Sequence, residues 1–153
     1  MLREHPGVHE VAVFGVPDDS WGQRVCAAVV GDAPEAELRA LVVALGLPDV
    51  VFAGFINQSR LPRIYAAADV FVLPSSNEPW GFIINEVMCA AIPVIVSDDC
   101  GSVPDLVHDG DNGRLMRAGD PVSLADALAD VLRDPARRAR MGARSREIAE
   151  GWD

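Results

Sequence analysis

Two glutamates stand eight positions apart in "EPWGFIINEVMCAAIPVIVSD" (78–98), Glu78 ahead of a Pro-Trp-Gly turn and Glu86 inside an apolar run. An ionised carboxylate only accepts hydrogen bonds, so one set beside apolar surface needs donors, which the vicinal hydroxyls of a sugar or ribose supply. If a helix opens near Gly81, the unpaired N–H groups of Gly81, Phe82 and Ile83 point into the same crevice and donate to hydroxyls or an anion. Gly81 also lets a ligand approach the backbone closely. Glu86 then falls in the second turn, with Ile83, Ile84, Val87 and Ala90 as the apolar surface around it. The same residues admit a structural reading, in which Glu78 stabilises the helix start and Glu86 is a buried acid paired with an arginine.

The elements that must position these residues alternate. Short β-rich runs, "VCAAVV" (25–30), "VVFAGF" (50–55), "VFVLPS" (70–75), "PVIVSD" (93–98) and "GRLM" (113–116), read as strands, and their continuous apolar character marks a parallel sheet covered on both faces. Helical patterns fill the crossovers at 34–46, 58–68, 81–91, 102–107 and 121–133; the first opens with Pro34 and closes at Gly46. The order is that of a Rossmann-like, doubly wound α/β fold with a mostly parallel sheet, in which ligands bind at the carboxyl ends of the strands. Glu78 follows one such end.

One junction breaks the alternation. The strand "VHEVAVFGV" (8–16) is separated from Val25 by eight residues, too few for a parallel crossover, which predicts an antiparallel hairpin at the N-terminal edge of the sheet. At the other end Asp134 and Pro135 open a final helix that, counting from Arg133, carries six arginines. It reads as a solvated surface helix with Met141, Ile148 and Trp152 as inward positions, against the alternative of an anion-binding face. "DGDNG" (109–113) reads as a turn.

Half of the 153 residues are apolar, enough for one substantial core. Thirteen basic residues against 23 acidic ones give a formal charge of −10, which repels phosphate backbones and anionic lipid and argues against nucleic acid as a partner. All thirteen are arginine; the chain contains no lysine. Cys26, Cys89 and Cys100 are odd in number and share no CxxC spacing, which predicts buried free thiols. The apolar run around "FIINEVMCAAIPVIV" is broken by Asn85, Glu86 and Pro93, and no basic-then-apolar leader opens the sequence, so a cytoplasmic protein without an integral membrane segment is expected.

The stretch "FVLPSSNEPWGFIINEVMCAAIPVIVSDDCGSVPDLVHDGDNGRLMRAGD" (71–120) closely resembles the donor half of retaining glycosyltransferases of family 4, which have the two-Rossmann GT-B fold. Their signature is a glutamate, seven residues, a second glutamate, a small-residue step and a Pro-Val strand, here Glu78, Glu86 and "CAAIPV". The likeness extends from about Cys26 to the C-terminus, so the chain reads as the C-terminal half of a GT-B fold.

The resemblance implies that Glu86 holds the ribose hydroxyls of a nucleotide-sugar donor and that Glu78 faces the transferred sugar or the reacting centre. It further implies that the amides of Gly81 and Phe82 hold sugar hydroxyls and that the backbone near Phe55 and Ile56 borders the base. No metal and no cofactor are implied, and Asp98 and Asp99 read as a strand-end turn. In the family an acceptor-binding domain precedes this one; this sequence has no room for it, so such a domain, or a second copy of the chain, is the expected partner. The donor domain alone is then either incomplete for catalysis, a non-catalytic binding module, or a folded remnant.

Three departures stand out. Family members place an arginine and a lysine against the donor diphosphate, and here only Arg24 or Arg117 offer themselves. Ala33 and Ala91 stand where glycine or a "GDGP" turn is usual. Finally, "HPGVHEVAVFGVPDDSWGQRVCAAVV" (5–30) resembles the small C-terminal subdomain of adenylate-forming acyl or aryl ligases, stopping short of their catalytic lysine. The expected division is a ligase-like hairpin segment over 1–24 and a nucleotide-sugar-binding domain over 25–153.

Overall fold

The computed structural model describes residues 10–18, 22–30 and 35–152. Its elements are β1 (Glu10–Asp18), β2 (Gly22–Val30), α1 (Glu35–Ala44), a 3₁₀ turn (Gln58–Arg60) running into α2 (Leu61–Tyr65), β3 (Phe71–Leu73), α3 (Phe82–Cys89), β4 (Val94–Ser97), α4 (Val103–Leu106), β5 (Gly113–Met116), α5 (Pro121–Arg133) and α6 (Pro135–Glu150).

β3, β4 and β5 form a parallel sheet with β4 in the middle, in the register Phe71↔Val94 and Val94↔Gly113. Successive side chains of a strand leave opposite faces, and the core divides accordingly. Phe71, Leu73, Val94 and Val96 pack with Ile84, Val87 and Met88 of α3 and Leu106 of α4. Val70, Val72, Ile95 and Met116 pack on the other face with Ala127 and Val131 of α5 and Met141 of α6. Both faces are covered, as the continuous apolar runs require.

Helix punctuation follows the sequence signals. Asp134 Oδ1 accepts from the N–H groups of Ala136 and Arg137 at 2.9 and 3.0 Å, and Pro135 takes the first helical position. After α1, Gly46 turns to φ +63° and Leu47 N–H returns to Val42 O at 3.0 Å, closing the helix.

β1 and β2 pair antiparallel, Glu10↔Val30 through Asp18↔Gly22, as the expected hairpin, a two-stranded ladder whose β1 lies beside the edge strand β3. Two expectations need correction. The run "VVFAGF" forms no strand: Gly54 sits at φ +61°, which breaks the extended path, and Phe55 is 95% exposed. Apolar composition alone does not make a strand without a ladder partner. Cys89 is exposed, whereas Cys100 is buried; the side chain of Cys26 and residue Ala33 lie outside the described residues.

Four of the five arginines of the last helix are matched within the fold. Arg137 bonds Asp130, Arg144 bonds Asp111, Arg146 bonds Glu150, and Arg138 reaches Asp69 at 2.9 Å with both side chains largely buried. Met141 is buried and Ile148 packs on the core, but Trp152 is exposed and lies 6.0 Å, ring centre to ring centre, from Trp80.

Candidate functional site

The loop after β3 and the loop after β4 leave the carboxyl ends of neighbouring strands and are joined by backbone bonds. Gly101 N–H donates to Glu78 O at 3.0 Å, and Ser102 N–H donates to Trp80 O at 3.2 Å. Asn77, at φ +62°, donates its N–H to Asp99 Oδ2 at 3.0 Å. Gly101 makes this approach possible, since a Cβ there would come within 1.9 Å of Pro79 O. Asp98 Oδ1 accepts from Ala118 N–H at 3.0 Å, so both adjacent aspartates serve the strand-end turn.

Glu78 Oε1 accepts from the N–H of Trp80 at 3.2 Å and of Gly81 at 2.9 Å. This corrects the expectation that the Gly81 amide is open to a ligand: Glu78 itself takes it. Gly81 is buried at φ +83°, the left-handed region that favours glycine, and a Cβ would sit 3.1 Å from Cys100 Sγ and Ile84 Cδ1. α3 therefore begins at Phe82, whose ring is 76% exposed beside Trp80.

Glu86 is exposed rather than buried. The 3.6-residue period explains the difference: Ile84, Val87 and Met88 take the core face of α3, which turns Glu86 outward. Its Oε2 accepts from the Tyr65 hydroxyl at 3.3 Å, not from an arginine. Tyr65 is otherwise buried, edge-on to Phe71 with centroids 6.4 Å apart. Glu86 and Tyr65 line a cavity of about 500 Å³ with Gln58, Pro62 and Cys89. Tyr65 is the residue that sequence reasoning missed; its signal is that it is the chain's one tyrosine, placed in an otherwise apolar helix end.

Ile56 lies on a second cavity, about 560 Å³, together with Phe55, Arg60, Arg63 and Ile64. The 3₁₀ turn and α2 separate the two cavities, with Gln58, Pro62 and Tyr65 on one and Arg60, Arg63 and Ile64 on the other. The structure thus joins Glu78 to Gly81 and Glu86 to Tyr65, while Glu78 lines neither cavity. Asn85 Oδ1, next to Glu86 in the chain, is buried without a hydrogen-bond partner. Arg117 is 77% exposed and bonds Asp120 at 3.2 Å; the side chain of Arg24 lies outside the described residues. Among the described residues no three His, Cys, Asp or Glu side chains gather as a metal site, and no helix is long and apolar enough to cross a membrane.

The model of the family "Glycosyl transferases group 1" matches residues 19–148. The chain belongs to the group 1 glycosyltransferases. A D-inositol 3-phosphate glycosyltransferase of Streptomyces avermitilis is 39% identical over 100% of this chain and 32% of its own length. Sucrose-phosphate synthase from Thermosynechococcus elongatus superposes with a TM-score of 0.69 at 35% identity, over 76% of this chain and 30% of that one. Anabaena HepE, solved in complex with UDP-glucose, superposes with a TM-score of 0.70 at 30% identity, over 76% of this chain and 32% of that one. This glycosyltransferase chain spans about a third of the length of the curated relatives it matches. Its α/β fold and parallel sheet are those of the C-terminal half of a GT-B fold.

Proposed function

We propose that the chain is the nucleotide-sugar-binding half of a retaining glycosyltransferase of family 4, acting in the cytoplasm with an acceptor-binding partner. Glu86 holds the ribose hydroxyls, Glu78 faces the transferred sugar through the oxygen its own turn does not use, and Ile56 borders the base. Phe82 offers its amide at the helix start, while Gly81 gives the turn its shape. Residues 25–153 form the donor domain. The alignment with the Streptomyces relative spans the whole chain, which supports treating residues 1–24 as scaffold of the same protein and not as a ligase.

The observation that carries this reading is the Glu86–Tyr65 pair on an open cavity beside α3. The hydroxyl steadies a carboxylate that still has acceptor sites for two vicinal hydroxyls. The UDP-glucose complex of HepE supports a nucleoside-diphosphate sugar as the donor class. In a retaining transfer the departing diphosphate guides the incoming hydroxyl on the same face, and charge stabilisation is the main catalytic contribution. No metal and no cofactor are required.

The exposed position of Arg117, bonded to Asp120, supports a second reading, donor binding without turnover, in which this arginine stays with Asp120. Calorimetric titration with UDP-, GDP- and ADP-sugars separates the cases. Binding of one donor that is lost in Glu86→Ala supports the site; no binding of any donor at millimolar concentration defeats it. A transfer assay with the partner domain added then divides enzyme from binding module.

A further inference from the structure

We infer that the apolar face formed by the end of α1 and residues 47–53 is a dimer interface, covered by a second copy of this chain whose own 50–53 segment pairs with it antiparallel. This contact is independent of the donor site and gives the apolar run "VVFAGF" the ladder partner it lacks within one copy. α1 turns Leu38 and Val42 inward, which leaves Val43, one position on, 80% exposed. Leu45, Leu47 and Val51 carry the apolar surface on past Gly46, and Val43 and Leu47 edge a groove of about 340 Å³ with Pro48. Monomers rarely expose several large apolar side chains side by side. Such a patch is the usual centre of an interface whose polar rim brings the covered surface to about 800 Å² per partner.

Among the described residues, the backbone of 50–56 makes no hydrogen bond to another segment. Exposure alternates along its first half, with Val50 and Phe52 half-buried and Val51 and Ala53 exposed, which is the period of a strand without its neighbour. Gly54, at φ +61°, ends that path, so Phe55 stays with the cavity wall beyond it. Charge selects the occupant. Each copy carries −10, and two copies repel wherever charged surface meets charged surface. Residues 40–59 hold one charged side chain, Asp49, in a chain that is 24% charged, so a second copy approaches here with the least repulsion. Two identical segments laid antiparallel are related by a two-fold axis, and each satisfies the N–H and C=O groups of the other with the same contacts. A partner bringing the sugar acceptor has to face Glu78 and the Glu86–Tyr65 cavity, whereas residues 43–51 line neither of the two cavities described above.

The test is sedimentation equilibrium of the whole chain from low micromolar to submillimolar concentration, beside Val51→Asp and, as a control of equal charge, Val122→Asp on the exposed surface of α5. Both positions are exposed, and circular dichroism melting checks that each variant is folded. We expect the natural chain and Val122→Asp to dimerise. Val51→Asp sets a carboxylate against its own image across the two-fold axis, so its dimer should dissociate at least about a hundredfold more readily. In hydrogen exchange, amides within 50–53 should exchange more slowly in concentrated than in dilute natural protein. A natural chain that is monomeric throughout, a dimer that Val51→Asp leaves intact, or a dimer without protection at 50–53 overturns the inference. So does a monomer that binds an added acceptor-binding domain only while Val51 is intact, which gives the face to that domain.

Discussion

Two stretches border the candidate site and are built in opposite ways. Residues 77–81, after β3, are held by hydrogen bonds to the 99–102 loop and by the Glu78 carboxylate turned back on its own backbone. Residues 50–57, before α2, form neither helix nor strand and leave Phe55 and Val51 exposed. The first stretch keeps its shape with the protein's own donors and acceptors, so it positions; the second leaves Val51 and Phe55 exposed, apolar surface that a ligand can cover. Substitutions in the first should therefore register mainly as stability, and in the second mainly as affinity.

The largest break in that contrast comes from Gly101→Ala. Its new methyl group collides with the Pro79 carbonyl, so the joined loops must part, which costs about 3 kcal/mol and lowers the melting temperature by roughly 6–12 °C. A melting temperature within 2 °C of the natural protein's would show that the loops are not rigidly joined. Next, Glu78→Ala removes the acceptor for two N–H groups and should lower stability by about 1 kcal/mol in urea unfolding. Glu86→Ala, on the exposed face of α3, should change stability by less than about 0.5 kcal/mol while abolishing donor binding. Equal stability losses in the two variants would erase the distinction between a positioning and a binding glutamate.

A gain in stability sharpens the same picture from outside the site. Ala91 adopts φ +58°, a left-handed conformation that disfavours any Cβ. Ala91→Gly should stabilise by about 0.5–1 kcal/mol, read as a higher urea midpoint, with donor affinity unaltered. The smallest effect is in acid. Hydrogen bonds from Arg137 and then Arg114 hold the Asp130 carboxyl below its ordinary range. A lowered folded-state pKa contributes stability above the unfolded value and loses it as pH falls through the folded one, so this contribution fades below about pH 4. In Asp130→Asn the acid limb of the stability curve should be shallower, while stability near neutral pH falls slightly.

Much of this was legible in the residues. The Asp134–Pro135 pair announces α6 because a cap and a fixed φ act locally. The alternation around "VFVLPS" and "PVIVSD" announces β3 and β4 because a strand buried on both faces must be apolar throughout. What failed depends on distant neighbours. "VVFAGF" has the same apolar content but no ladder partner, and Glu86 could not be placed until Ile84 and Val87 had claimed the core face. Arg138 pairs with Asp69, sixty-nine positions away, which no local pattern reveals. Tyr65 likewise meets Glu86 only through the packing of α2 beside α3.

The most direct test of the account is a crystal structure of the chain grown with UDP-glucose. The account predicts ribose hydroxyls within hydrogen-bonding distance of Glu86, beside the Tyr65 hydroxyl. A nucleotide bound elsewhere, with the Glu86 carboxylate left to solvent, would contradict it.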